Sequence, residues 1–242
     1  LWAEGEKFFY TLPLRVATNQ IFERACSYFN QDKGENKDPF IEENIGLIHS
    51  DADLYLFEKL DTSKDTAKEG EISKILELSR LFSLPINLCT GDQIFPSALK
   101  YPGYEKVYST LGYSKLIIDE VQAYDPGACA IILKMIEDNI SLGGKFLLMT
   151  ATLPKFVKDE LRNRNIDYTE IDFYHGKLKK EGCEKDVKKI KDIIRHKIKI
   201  NKEDLEDHVD EIINKAKEGK RILVILNTVE KAQKVYEKIK NK

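Results

Sequence analysis

Two adjacent carboxylates, Asp119 and Glu120, follow the apolar run Leu116-Ile117-Ile118 directly. An apolar run without polar alternation suits a strand buried on both faces, as in a parallel sheet covered by helices. Such sheets bind ligands beyond the carboxyl ends of their strands, and this spacing puts the pair there. Two carboxylates at such a place can divide the work. One holds Mg²⁺, usually through its water shell, and the other orients or deprotonates an attacking water. A strand ending in Asp-Glu is by itself a common solvated feature, so its neighbours decide.

The neighbours supply a positioning frame. Asp125 followed by Pro126 reads as an N-cap and first helical position. Ile131, Ile132, Met135, Ile136 and Ile140 then mark one buried helix face. Gly143-Gly144 stops that helix, residues 145–149 form another buried strand, and Thr150-Ala151-Thr152-Leu153-Pro154 closes it.

Upstream, residues 7–12 read as a strand ended by Pro13, which cannot continue a central ladder, with Arg15 in the loop beyond. Residues 18–29 are helical, with Ile21, Phe22, Ala25 and Phe29 on one face, and residues 30–39 are a polar loop. A short strand at 45–48 and a helix at 51–60 precede a charged, breaker-rich stretch at 61–70. A helix at 72–82 buries Ile72, Ile75, Leu76 and Ser79. The strand at 85–90 delivers Gly91-Asp92-Gln93, and a short helix at 94–99 follows. With the central pair this makes a five-strand α/β unit.

Beyond Pro154 come a helix at 156–164, a strand at 168–173 and a Lys-rich stretch at 175–201. Leu205, Val209, Ile212, Ile213 and Ala216 mark an amphipathic helix ended by Gly219. A buried strand is expected at 221–226, then Asn227-Thr228 and a helix turning Val229, Ala232, Tyr236 and Ile239 inward. Asn227 with Glu230 also makes an adequate capping box.

Bulk properties bound the answer. The 242 residues, 42% hydrophobic and 33% charged, allow one to two globular domains. No apolar run approaches the roughly 20 residues needed to cross a bilayer, and the start lacks the basic and apolar regions of a signal peptide. The chain does not open with Met, which suggests a piece of something longer. Cys26, Cys89, Cys129 and Cys183 are widely spaced, as expected of reduced core thiols in the cytoplasm. His49, His175, His196 and His208 show no metal-ligand spacing. Net charge is −2, but residues 155–242 carry 24 Lys/Arg against 18 Asp/Glu, leaving 15 against 23 in residues 1–154. The basic second part fits contact with a polyanion, or a solvated helix face.

Five motifs now stand in order: Leu12-Pro13-Leu14-Arg15 with Ala17-Thr18-Asn19; Gly91-Asp92-Gln93; Asp119-Glu120-Val121-Gln122-Ala123-Tyr124-Asp125; Thr150-Ala151-Thr152-Leu153-Pro154; and Asn227-Thr228-Val229-Glu230-Lys231-Ala232-Gln233. Together they resemble a superfamily 2 helicase core, and most specifically the CRISPR-associated helicase of type I interference systems. The resemblance implies a RecA-like parallel sheet flanked by helices, with the start of a second RecA-like domain. It places a first domain at 1–173, a basic connector at 174–201 and the second domain from 202. It implies ATP and Mg²⁺ as cofactors, with Asp119 holding the metal of ATP and Glu120 activating water. Gln122, Thr150 and Thr152 would couple the nucleotide site to the strand-binding face. Pro13, Arg15, Asp92 and Gln93 would lie along a single-stranded DNA track in the first domain, and Asn227 and Thr228 in the second. A crRNA-guided surveillance complex and a nuclease domain or subunit are the implied partners, with no membrane.

Two departures qualify this. Gln122 stands where the family more often has His, which implies altered tuning. No G-x-x-x-x-G-K-[ST] loop occurs; it is expected just upstream of Leu1, so the 242 residues alone should hydrolyse essentially no ATP. Another superfamily 2 enzyme, such as an RNA helicase or repair translocase, or a non-catalytic nucleic-acid-binding module, stays open at this level.

Overall fold

The structure, a computed structural model, describes residues 5–30, 43–60, 66–172, 197–200 and 202–240. The expected helix end at 1–3, most of the loop at 30–39, Cys183, His175, His196 and nearly all of the basic connector lie outside the described residues. The chain divides into two compact units, Leu1–Thr169 and Glu170–Lys242.

The first unit is built on five short apolar strands: β1 (Phe8–Leu12), β2 (Ile45–Ile48), β3 (Ile86–Thr90), β4 (Lys115–Asp119) and β5 (Lys145–Met149). They pair in the order β2-β3-β1-β4-β5, every pair parallel. Parallel neighbours need crossovers, and helices supply them on both faces. On one face, Phe22 and Cys26 of α1 (Arg15–Asn30), Leu56 of α2 (Ala52–Leu60) and Ile72, Ile75 and Leu76 of α3 (Thr66–Arg80) pack with Ile45, Leu47, Ile86 and Leu88. On the other, Leu111 of α4 (Tyr104–Leu111), Ile132 and Ile136 of α5 (Pro126–Ser141) and Val157 and Leu161 of α6 (Lys155–Asn163) pack with Phe9, Leu116 and Ile118. This is an α/β, RecA-like sheet, as expected.

Local signals hold where they are strong. The Asp125 carboxylate accepts from the amides of Gly127 and Ala128, at 2.8 and 3.1 Å, with Pro126 opening the helix. Cys26, Cys89 and Cys129 are buried thiols, and none of the three is in a disulfide.

Several expectations are corrected. β5 is not buried: it is the sheet edge, with Leu147 and Met149 47% and 39% exposed. The α5 stripe turns slightly, burying Leu133 and Asn139 and leaving Ile140 39% exposed. α3 starts at Thr66, inside the stretch expected to break structure. The segment after β3 is a 3₁₀ turn, Phe95–Leu99, with Pro96 at its start, where a missing amide costs no helical bond, and Lys100 in the left-handed region ending it. α4 forms although its Val, Tyr and Thr content favours strands, and it buries Val107, Thr110 and Leu111. Residues 168–172 form no strand.

The second unit holds a 3₁₀ turn (Leu205–His208), α7 (Val209–Lys217) and α8 (Val229–Lys240). Residues 221–226 form no strand either, and Leu223 and Ile225 are 82% and 81% exposed. An apolar run becomes a strand only by pairing, and among the described residues none pairs with it. α8 buries Val235 instead of turning Val229 and Tyr236 inward. Its cap is the Thr228 hydroxyl, which accepts from the Lys231 amide at 3.3 Å, not the expected Asn227–Glu230 box.

Candidate nucleotide and nucleic-acid site

Because all five strands run parallel, their carboxyl ends form one row. β4 delivers Asp119 and Glu120, β5 delivers Thr150 and Thr152, and β1 delivers Pro13 and Arg15. β3 delivers Asp92 and Gln93, and β2 delivers His49. The acidic pair sits between its neighbours: Asp119 registers with Met149, and the Glu120 amide donates to the Met149 carbonyl at 2.9 Å. One end of one sheet therefore gathers every candidate residue of the first unit.

Both carboxylates have fixed surroundings. Asp119 accepts from the Tyr10 hydroxyl through Oδ2 at 2.6 Å and from the Glu120 amide through Oδ1 at 2.9 Å. Burial, then the bond to Asp119, raises the Tyr10 phenol well above its usual range, so it stays a donor. Glu120 is exposed and adopts a left-handed backbone, φ 54° and ψ 43°. For a residue bearing Cβ this costs about 1–2 kcal/mol, and such strain concentrates at functional sites. Glu120 accepts from Gln122 Nε2, and Gln122 Oε1 accepts from the Thr150 hydroxyl. Thr150 Oγ1 in turn accepts from the Thr152 amide at 3.1 Å. A continuous polar chain thus joins the acidic pair to the Thr-Ala-Thr loop.

The other residues are placed less tightly. Arg15 is half exposed, donates to Ser50 Oγ at 3.1 Å and pairs with Asp51. A phosphate reaching it competes with that carboxylate. Asp92 accepts from Gln93 Nε2 at 2.6 Å. Asn227 and Thr228 are exposed, in the second unit.

Three further participants are Tyr10, which lies in none of the motifs, and Tyr124 and Gly91, which lie in two of them without an assigned role. Tyr10 looks like an ordinary strand aromatic. Tyr124 packs edge-on against Phe95, centroids 5.7 Å apart, with its hydroxyl buried and unpartnered. Gly91 leaves room for both, since a Cβ there would lie 2.4 Å from the Phe95 ring and 2.7 Å from the Tyr124 hydroxyl. The loop carrying Asp92 and Gln93 is thereby seated on the loop that follows Glu120.

His49, at the tip of β2, is 8% exposed. Its Nδ1 accepts from the Asp51 amide at 3.2 Å, so Nε2 carries the proton toward Asn19 Oδ1, 2.7 Å away. Burial is the largest influence and lowers its pKa below the usual 6.5, outweighing the nearby Asp51. The neutral form is thus the folded one. Its contribution to stability is complete above pH about 6.5 and is lost as the pH falls through the depressed folded-state value. Melting temperature should fall between pH 7 and pH 5 more steeply in the wild type than in His49→Gln; parallel profiles would refute this.

Comparison with known proteins places the chain. It is 30% identical, over 98% of its length, to a CRISPR-associated nuclease/helicase Cas3 of Methanothermobacter thermautotrophicus, spanning 27% of that protein. It is 27% identical over 94% of its length to a Cas3 of Streptococcus thermophilus, again spanning 27%. A third match, 26% identical over 65% of this chain, is to the CRISPR-associated endonuclease/helicase Cas3 of Escherichia coli, spanning 18% of it. The chain thus spans about a quarter or less of these curated relatives. No family model and no solved structure matches it. With the parallel sheet and its row of strand-tip residues, this long similarity makes the chain a Cas3-like polypeptide, matching the helicase part of the CRISPR-associated nuclease/helicases.

Proposed function

We propose that this chain is part of an ATP-dependent helicase that translocates along single-stranded DNA in type I CRISPR interference, an antiviral defence. The observation that supports this most is the Asp119–Glu120 pair, on adjacent strand tips with Thr150 and joined to it through Gln122.

The donor set fits the implied metal. Mg²⁺ takes hard oxygen ligands, keeps several waters and binds through one or two carboxylates plus substrate phosphates. Asp119 offers a half-exposed carboxylate with each oxygen holding one donor and a lone pair to spare. Bound Mg²⁺ would neutralise charge on the phosphates of ATP. Asp119 would hold its water shell, and Glu120 would orient the attacking water and take its proton. Gln122 and Thr150 would carry the state of Glu120 to the loop that starts the Thr-Ala-Thr motif. Pro13, Arg15, Asp92 and Gln93 in the first unit and Asn227 and Thr228 in the second would lie along the track of the strand, where backbone amides, hydroxyls and the Arg15 guanidinium would grip phosphates. Contacts of that kind hold a strand without reading its sequence. The phosphate-cradling loop is not among the 242 residues, so the full-length protein is the one to assay. A crRNA-guided surveillance complex would deliver the DNA, and a nuclease domain or subunit would act on it.

Phosphate release by the full-length protein should rise with single-stranded DNA and not with RNA of the same sequence. Stimulation by RNA alone would move the assignment to another superfamily 2 enzyme; stimulation by neither would favour a non-catalytic binding module.

A further inference from the structure

We propose that Tyr10 is a positioning residue for Asp119, holding its carboxylate in the one orientation that serves a divalent cation. The inference rests on reading Asp119 as the residue that meets the cation bound with ATP.

The placement follows from strand register. Tyr10 of β1 lies beside Ile117 of β4, and parallel partners point to the same face of the sheet. Asp119, two residues further along β4, points to that face too. A phenol is long enough to span the two-residue step, and its hydroxyl reaches Asp119 Oδ2 at 2.6 Å. A shorter or purely apolar side chain at position 10 could pack the core but could not make this bond. The ring itself is half buried against the cluster formed by α1, α2 and α3, so the hydroxyl is held by packing behind it. With Oδ1 tied to the Glu120 amide at 2.9 Å, both oxygens have assigned donors. The carboxylate cannot rotate without breaking one of them.

The plainer reading is that Asp119 merely satisfies a half-buried hydroxyl. The two differ in what the hydroxyl's loss does. If it only needed a partner, Tyr10→Phe changes stability and leaves cation affinity alone. If it orients the carboxylate, affinity falls while the fold survives, because the ring and its packing remain. Partners of residues bonded directly to a metal typically contribute 10–100-fold in affinity, and a carboxylate that reaches the cation through its water shell puts the effect at the low end.

The test is Mn²⁺ binding, followed by electron paramagnetic resonance, to the full-length protein with a non-hydrolysable ATP analogue. Tyr10→Phe should weaken Mn²⁺ about tenfold, and Tyr10→Phe/Asp119→Asn should bind no more weakly than Asp119→Asn alone. Unchanged affinity in Tyr10→Phe, when Asp119→Asn loses it, would overturn the positioning role and leave the nucleotide site standing. A double variant weaker than Asp119→Asn by the full effect of Tyr10→Phe would also overturn it, showing that the hydroxyl acts elsewhere. Normal Mn²⁺ binding by Asp119→Asn would instead remove the nucleotide-site reading itself.

Discussion

Glu120→Gln in the full-length protein is expected to cut DNA-stimulated phosphate release by about 10²–10⁴-fold, the usual worth of a positioned general base. The amide keeps the size of the side chain and a hydrogen-bond acceptor for Gln122, but it cannot take a proton from water. Wild-type turnover would end the assignment. Glu120→Gly separates chemistry from folding. Glu120 holds a left-handed backbone, which glycine adopts without the Cβ penalty. That variant should be as inactive as Glu120→Gln yet unfold at the same temperature or higher, gaining up to about 1 kcal/mol net, the relief of about 1–2 kcal/mol being partly offset by the roughly 0.5–1 kcal/mol of extra chain entropy that glycine loses. A loss of stability instead would show that the carboxylate is there to hold the loop.

The largest effect on stability is expected at Gly144, where α5 turns into β5. A Cβ on Gly144 would lie 2.1 Å from Asn139 Oδ1 and 2.8 Å from the Leu111 carbonyl. Neither neighbour is free to yield. Asn139 is fully buried and donates through Nδ2 to the Lys145 carbonyl at 3.1 Å, and Leu111 ends α4 inside the core. Gly144→Ala must push one of them out, at a cost of about 3 kcal/mol from overpacking and a broken buried hydrogen bond. For a chain of this size that is roughly 6–12 °C in melting temperature. The adjacent Gly143 is the control. It has φ +86° but nothing within 4 Å of an added Cβ, so Gly143→Ala should cost only about 1–2 kcal/mol for its backbone. Equal losses at the two positions would show that conformation, not contact, governs this turn.

Asp119 and Glu120 are legible in the sequence as a candidate pair, because a strand buried on both faces announces itself by an unbroken apolar run. β2, β3 and β4 could be read the same way. The Asp125-Pro126 cap was equally plain, since capping needs only three or four adjacent residues. Local chemistry writes itself locally. The run at 145–149 has the same apolar character, yet β5 is an edge strand, and the run at 221–226 pairs with nothing described. Whether apolar residues are covered depends on what lies beside them, and neighbours in a parallel sheet are far apart along the chain. Tyr10 shows this most clearly: its residue type promised only a strand aromatic. The 109 positions separating it from Asp119 are closed by the β1–β4 register, which belongs to the fold as a whole. The left-handed turn at Glu120 has the same origin. A glutamate has no local reason to adopt it, and its backbone is held there by the Glu120 amide's bond to the Met149 carbonyl and the Ala123 amide's bond to the Glu120 carbonyl, both 2.9 Å.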